Sequence, residues 1–206
     1  MNITPITDHQ VPRECWRGPN NTVYFVHSKC ASRTYDMLMG KLGWNKITTQ
    51  DIDWIEDCVF SYIRDPIVKH RKGIAEFFFY NKNLLPLSTD IINNKLWVIA
   101  LSSATCLDHH SESIHNMLGK NAELINWIPI DTGVDHKSIT FNILESRGVN
   151  VSEEIKDWFL TLPRVNESIA TETKVFELLS LQPVPPHVLR YLDYDTILYQ
   201  HVIRNY

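Results

Sequence analysis

The chain has 206 residues, with 20 Lys plus Arg, 24 Asp plus Glu and a formal net charge of −4. That length predicts one domain over residues 1–206, and the mild acidity argues against a general nucleic-acid binder, which carries a basic excess. At 44% hydrophobic and 11% aromatic, the chain can bury a real core, so disorder is excluded as its main state, and 7 Gly exclude a collagen-like or Gly-rich architecture.

Residues 1–21 read as an irregular lead-in, broken by Pro5, Pro12, Gly18 and Pro19. Val23-Tyr24-Phe25-Val26 then reads as a short buried strand. A small polar loop follows from Ser28 to Thr34. Tyr35, Leu38, Met39 and Leu42 next fall at helical spacing, and Gly43 stands where a helix-ending glycine belongs. The pattern repeats. Cys58–Ile63 predicts a second buried strand, Asp65 suits an N-cap and Pro66 suits the first helical position. Ile67, Ile74 and Phe78 mark the buried side of a helix to about residue 79, and Phe77–Tyr80 reads mainly as core.

Thr89–Ser103 predicts a mostly apolar helix, Leu124–Ile130 a strand, and Asp135–Arg147 an amphipathic helix closed by Gly148. The tail is helical in pattern after Pro185-Pro186. Two strand–turn–helix units predict an α/β fold, a parallel β-sheet flanked by helices. Ligands of such sheets bind at the carboxyl ends of the strands, where both turns would lie. No apolar run reaches the length of a bilayer span, and Met1–Pro12 is not a secretory signal. Cys15, Cys30, Cys58 and Cys106 form no CxxC pair, so a reducing, cytoplasmic compartment without membrane contact is the simpler expectation.

Two loops carry chemistry. The Ser28–Thr34 loop and the helix after it offer backbone N–H groups to an anion, with Lys29 as an ammonium beside it, hydroxyls from Ser32 and Thr34, and charge from Arg33. The Walker pattern GxxxxGK[ST] is absent, which favours a nucleotide handled without metal. The competing reading is an ordinary βα turn with Lys29 and Arg33 solvated. Arg64, at the end of the second strand, can fork onto a phosphate. The Lys69-His70-Arg71-Lys72 run spans one helical turn and reads as a solvated face, with one or two of its members near a ligand.

Ser28-Lys29-Cys30-Ala31-Ser32-Arg33-Thr34 and Tyr62-Ile63-Arg64-Asp65-Pro66-Ile67-Val68-Lys69 resemble the two cofactor motifs of sulfotransferases that use 3′-phosphoadenosine 5′-phosphosulfate (PAPS). Leu162–Ser168 is similar to a Leu-Pro-His-x-Asn-x-Ser stretch of the carbohydrate sulfotransferases. Tyr191–Asp195 resembles their Tyr-x-x-Asp-Tyr, and Asp108-His109-His110 an intervening Asp-x-His. The resemblance implies a P-loop-NTPase-like sulfotransferase fold and transfer of a sulfuryl group to a hydroxyl of a carbohydrate or other small-molecule or glycan acceptor, leaving PAP. It implies that Lys29 offsets charge on the leaving 5′-phosphate. Cys30, Ala31, Ser32, Arg33 and Thr34 would hold that phosphate, and Arg64 and Lys72 the 3′-phosphate, with no metal. Ser28, Lys69 and Lys72 depart from the family's Pro, Arg and Ser. The alternatives are a P-loop-like nucleotide kinase and a catalytically degenerate nucleotide binder.

An acceptor hydroxyl needs a general base. His110 is the first candidate, with Asp108 placed to orient it, followed by His109, by His27 if its strand position does not bury it, and by Glu112. Cys106, His109, His110 and His115 match no standard zinc spacing, so no metal is expected. Cys30 at a helix start reads as a small residue that lets the backbone approach phosphate, rather than as a reactive thiol.

Overall fold

The computed structural model describes residues 11–81, 101–162 and 170–206. A five-stranded mixed sheet lies at its centre, with helices packed on it. The strands are β1 (Glu14–Arg17), β2 (Thr22–Phe25), β3 (Asn45–Thr48), β4 (Cys58–Ile63) and β5 (Asn126–Pro129), in spatial order β3-β1-β2-β4-β5. β2, β4 and β5 are parallel, in the registers Tyr24↔Phe60 and Tyr62↔Ile128. β1 runs antiparallel to both β2 and β3. The expected all-parallel sheet is therefore corrected to a mixed one. The lead-in over 1–21 is corrected too, because Cys15 and Trp16 are buried within β1.

Alternation along the central strands builds two cores. Tyr24, Phe60, Tyr62 and Ile128 face one side, under α1 (Ser32–Lys41), α4 (His136–Ser146) and α5 (Glu153–Thr161). On this side the Tyr35 ring stacks 3.7 Å from the Tyr62 ring, and the Tyr62 hydroxyl shares a 2.6 Å hydrogen bond with that of Thr140. Val23, Phe25, Val59, Ile63 and Trp127 face the other side, under α3 (Ile114–Leu118), a short 3₁₀ turn and α8 (Asp193–Arg204). A third cluster joins α2 (Pro66–Asn81) to α6 (Ala170–Ser180) through Ile74, Phe78, Val175 and Leu179. α7 (Pro186–Tyr191) connects α6 to α8.

The helix boundaries follow local rules. The Val68 N–H donates to the Asp65 carboxylate at 3.0 Å, so Asp65 caps α2 and Pro66 opens it. Asp135 caps α4 by accepting from the Ser138 N–H, and a left-handed Gly148 closes it. The helix expected over 89–103 lies outside the described residues except at its end, where Leu101 and Ser102 are helical. Among the described residues no helix is long and apolar enough to cross a membrane.

One stripe of α2 bears on function. Lys69, His70, Gly73 and Glu76 are buried, and segment 104–112 covers them. The Lys69 ammonium donates to the Glu112 carbonyl, and the His70 ring lies between the Ser111 and Ala104 carbonyls. The solvated face expected for Lys69–Lys72 is thus wrong for its first two members, whose polar ends reach backbone carbonyls instead of water. Gly73 lets the segment approach, because a Cβ there would lie 2.3 Å from the His110 carbonyl oxygen. Gly73→Ala should cost about 1–3 kcal/mol by overpacking. Gly40→Ala in α1, whose nearest foreign atom is 3.8 Å away, should gain roughly 0.5–1 kcal/mol. Paired urea denaturation curves of the two variants check this, and equal shifts of the same sign would refute it.

Candidate functional site

Three strand ends meet at one edge of the sheet, and Arg64 joins them. It follows β4, donates through one Nη to the Lys29 carbonyl after β2 at 2.8 Å, and donates through Nε to the Asp131 carboxylate after β5 at 2.8 Å. The resemblance assigned Arg64 to a 3′-phosphate. In this structure two of its donors are engaged in fixing the loop.

The loop between β2 and α1 has unusual backbone. Lys29 and Ala31 take left-handed conformations, φ 64 and φ 60, which cost an L-residue with a side chain roughly 1–2 kcal/mol each. Left-handed residues at a strand–helix turn are the backbone from which anion-holding concavities are built, and in this loop the Cys30 and Thr34 N–H groups already donate to the His27 and Ala31 carbonyls at 3.2 and 3.0 Å. Cys30 is fully buried beneath it, and burial pushes its thiol up to about 12. A thiol so placed stays protonated near neutral pH and is no nucleophile. Ser32 and Thr34 are half-buried in the first turn of α1.

The polar centre is Glu76, which the sequence analysis did not single out. Its carboxylate is almost fully buried and lies 2.8 Å from the Lys29 ammonium, 3.1 Å from His110 Nε2 and 3.7 Å from the Arg33 guanidinium. The other ring nitrogen of His110, Nδ1, lies 2.9 Å from the Asp108 carboxylate. His109 lies against His110 with ring centroids 3.8 Å apart and the rings tilted by 40°, and it is exposed. The order Lys29, Glu76, His110, Asp108 is therefore a continuous chain of alternating charge-bearing groups at the mouth of the loop. Such a chain can offset negative charge through Lys29 and accept a proton at the carboxylate–imidazole pair. Arg33 also donates to the Tyr80 hydroxyl at 3.3 Å.

The remaining expected residues sort as follows. Lys72 holds its ammonium 5.5 Å over the Phe176 ring of α6. Glu112 is ion-paired with Arg13, away from His110. Tyr191 and Asp195 hold backbone rather than ligand. The Ser113 N–H donates to the Tyr191 hydroxyl at 2.9 Å, and the Ile114 N–H to the Asp195 carboxylate at 2.8 Å, tying the C-terminal helices to the start of α3. Pro163–Ser168 lies outside the described residues. Comparison of the chain with protein-family models, curated proteins and solved structures finds no match.

His27 lies in the core behind the loop. Its Nδ1–H donates to the Tyr62 carbonyl at 2.9 Å, its ring meets Trp127 edge-on, and it is 1% exposed, so it faces no acceptor. Burial, followed by the charge of Lys69, lowers its pKa from 6.5 to about 3. The folded protein keeps this ring neutral where the unfolded chain would take up a proton. Its stabilising contribution is full above pH 6.5 and is lost as pH falls toward 3, with a slope of up to about 1.4 kcal/mol per pH unit. His27→Asn keeps an amide donor near the Nδ1 position and should flatten the acid limb of stability between pH 6.5 and 4, as read by urea denaturation across pH. Parallel limbs in the two proteins would overturn the assignment.

Proposed function

We propose that the protein transfers a sulfuryl group from PAPS to a hydroxyl acceptor of the carbohydrate class. The observation that carries this is the convergence of Lys29, set in a left-handed loop at the carboxyl end of β2, with the Glu76–His110 pair. The P-loop-like sulfotransferase fold, with its nucleotide over the carboxyl ends of β2 and β4, belongs to the same reading. The resemblance of the two loops supports it.

In this reading the acceptor oxygen attacks sulfur, and the bond from sulfur to the oxygen of the 5′-phosphate breaks to leave PAP. The loop N–H groups, Ser32, Arg33 and Thr34 hold the 5′-phosphate. Lys29 turns from Glu76 toward the leaving oxygen and offsets its growing charge. Glu76, oriented by the His110 imidazole, takes the acceptor's proton, and Asp108 fixes that ring from its other side. Glu76 thus shares with His110 the general-base role first expected of a histidine. Burial of the carboxylate keeps water from competing for these contacts.

A second reading, a nucleotide binder without turnover, is favoured by one observation. The Lys72 ammonium lies over an aromatic ring on α6, which weakens the case for a lysine holding the 3′-phosphate. Calorimetry separates these readings. PAP, in the presence of a chelator, should bind roughly tenfold or more tightly than AMP, and Arg33→Ala, at an exposed side chain, should weaken it. Preference for ATP-Mg²⁺ would instead support a kinase, and no preference for PAP would sink the sulfuryl-transfer reading. Glu76→Gln removes a like charge from the anion site while sparing its shape. It should lower sulfuryl transfer by about 10²–10⁴-fold and leave PAP binding equal or tighter. Unchanged turnover in this variant would remove Glu76 from the mechanism.

A further inference from the structure

Segment 108–110 offers more than the orienting of Glu76 that sulfuryl transfer asks of His110 and Asp108. One ligand-type atom from each of Asp108, His109 and His110 lies within 4.8 Å of the other two. A four-coordinate zinc with bonds of about 2.0–2.2 Å sets its ligand atoms a little over 3 Å apart, so small side-chain rotations bring these three into range.

The segment is already shaped. The His110 N–H donates to the Asp108 carboxylate at 2.9 Å, and the Leu107 and Asp108 N–H groups donate to the Ser111 hydroxyl at 2.9 and 3.3 Å. Gly73 lets α2 support the segment directly from below. A second arrangement fits the same reading. Nδ1 of His110 lies 2.9 Å from the Asp108 carboxylate, while Nε2 lies 3.1 Å from Glu76, itself buried. A histidine that gives one nitrogen to a metal characteristically donates its other N–H to a carboxylate, which fixes the tautomer and the ring plane.

We infer that Asp108, His109 and His110 form a binding site for a divalent transition cation, with Glu76 as the carboxylate that orients His110. Two imidazoles and one carboxylate suit Zn²⁺ and its neighbours better than Mg²⁺ or Ca²⁺, which take all-oxygen sites. Three protein ligands leave a coordination position open, and the exposure of His109 gives the ion a path from solvent. The four residues whose sequence spacing suggested no zinc site are sorted by the structure. Cys106 points its thiol at the Asp108 carbonyl, and His115 packs against the Tyr194 ring. Asp108 takes the place that neither of them fills.

The site stands on these side chains and not on the sulfuryl-transfer reading, so the two are tested apart. Chelator-treated full-length protein, free of nucleotide, is titrated with ZnCl₂ by calorimetry. It should bind about one equivalent that excess Mg²⁺ does not displace, and Co²⁺ should give the visible d–d absorption of a low-coordinate site. His109→Ala, at an exposed position, and Asp108→Asn should each weaken Zn²⁺ by roughly tenfold or more, and Glu76→Gln by about 10–100-fold, with circular dichroism unchanged. His115→Ala should have no effect. Absence of stoichiometric Zn²⁺ binding, or binding that survives both His109→Ala and Asp108→Asn, overturns the inference, whatever PAP does in its separate assay.

Discussion

A carboxylate taken out of water must be met by positive charge or by hydrogen-bond donors, and Glu76 is such a carboxylate. It stands on α2, so it moves only with that helix. Its partners come from three other places: Lys29 from the loop after β2, Arg33 from α1 and His110 from the segment that crosses α2. Lys29 and Arg33 are four residues apart, but Glu76 and His110 are each more than thirty residues from them and from one another. The need to compensate one buried charge holds them in a common centre, and removing the cations would leave a charge that the interior cannot accommodate.

The scaffold serves that centre from two sides. From the sheet, Arg64 links the ends of three parallel strands, so the loop carrying Lys29 is positioned by β4 and β5 as well as by β2. From the far end of the chain, Tyr191 and Asp195 receive the first N–H groups of α3 and its approach, and so fix the segment that has just delivered His110. Burial raises the pKa of Asp195, and those N–H groups work against that rise. A stretch that resembles a family motif thus has an architectural task here.

The parts legible in the sequence were those written in a single short window. β2, α1, β4 and α2 follow from compact apolar runs, helical spacing and the Asp65-Pro66 pair, all local signals. β1 and β3 are four residues each, and β3 is a polar edge strand, so neither has a hydrophobic period to read. The sheet is mixed because β1 alone is reversed, by the turn from Gly18 to Thr22, where the Gly18 N–H donates to the Thr22 carbonyl at 2.9 Å, and the apolar pattern does not encode strand direction. Lys29 and His110 were visible as chemistry in loops. Glu76 was not, because one acid inside an apolar helical run looks like a solvated residue until segment 104–112 is known to cover it. Lys69 and His70 were misjudged for the same reason: local charge does not reveal what packs above it.

The left-handed backbone at Lys29 sets two demands on one position against each other. Glycine would adopt that conformation without steric cost, and selection for folding alone would let the position drift to it. Yet glycine at position 29 would strip the buried Glu76 carboxylate of its nearest cation, 2.8 Å away, so relief of the backbone would be offset by a poorly compensated charge inside the protein.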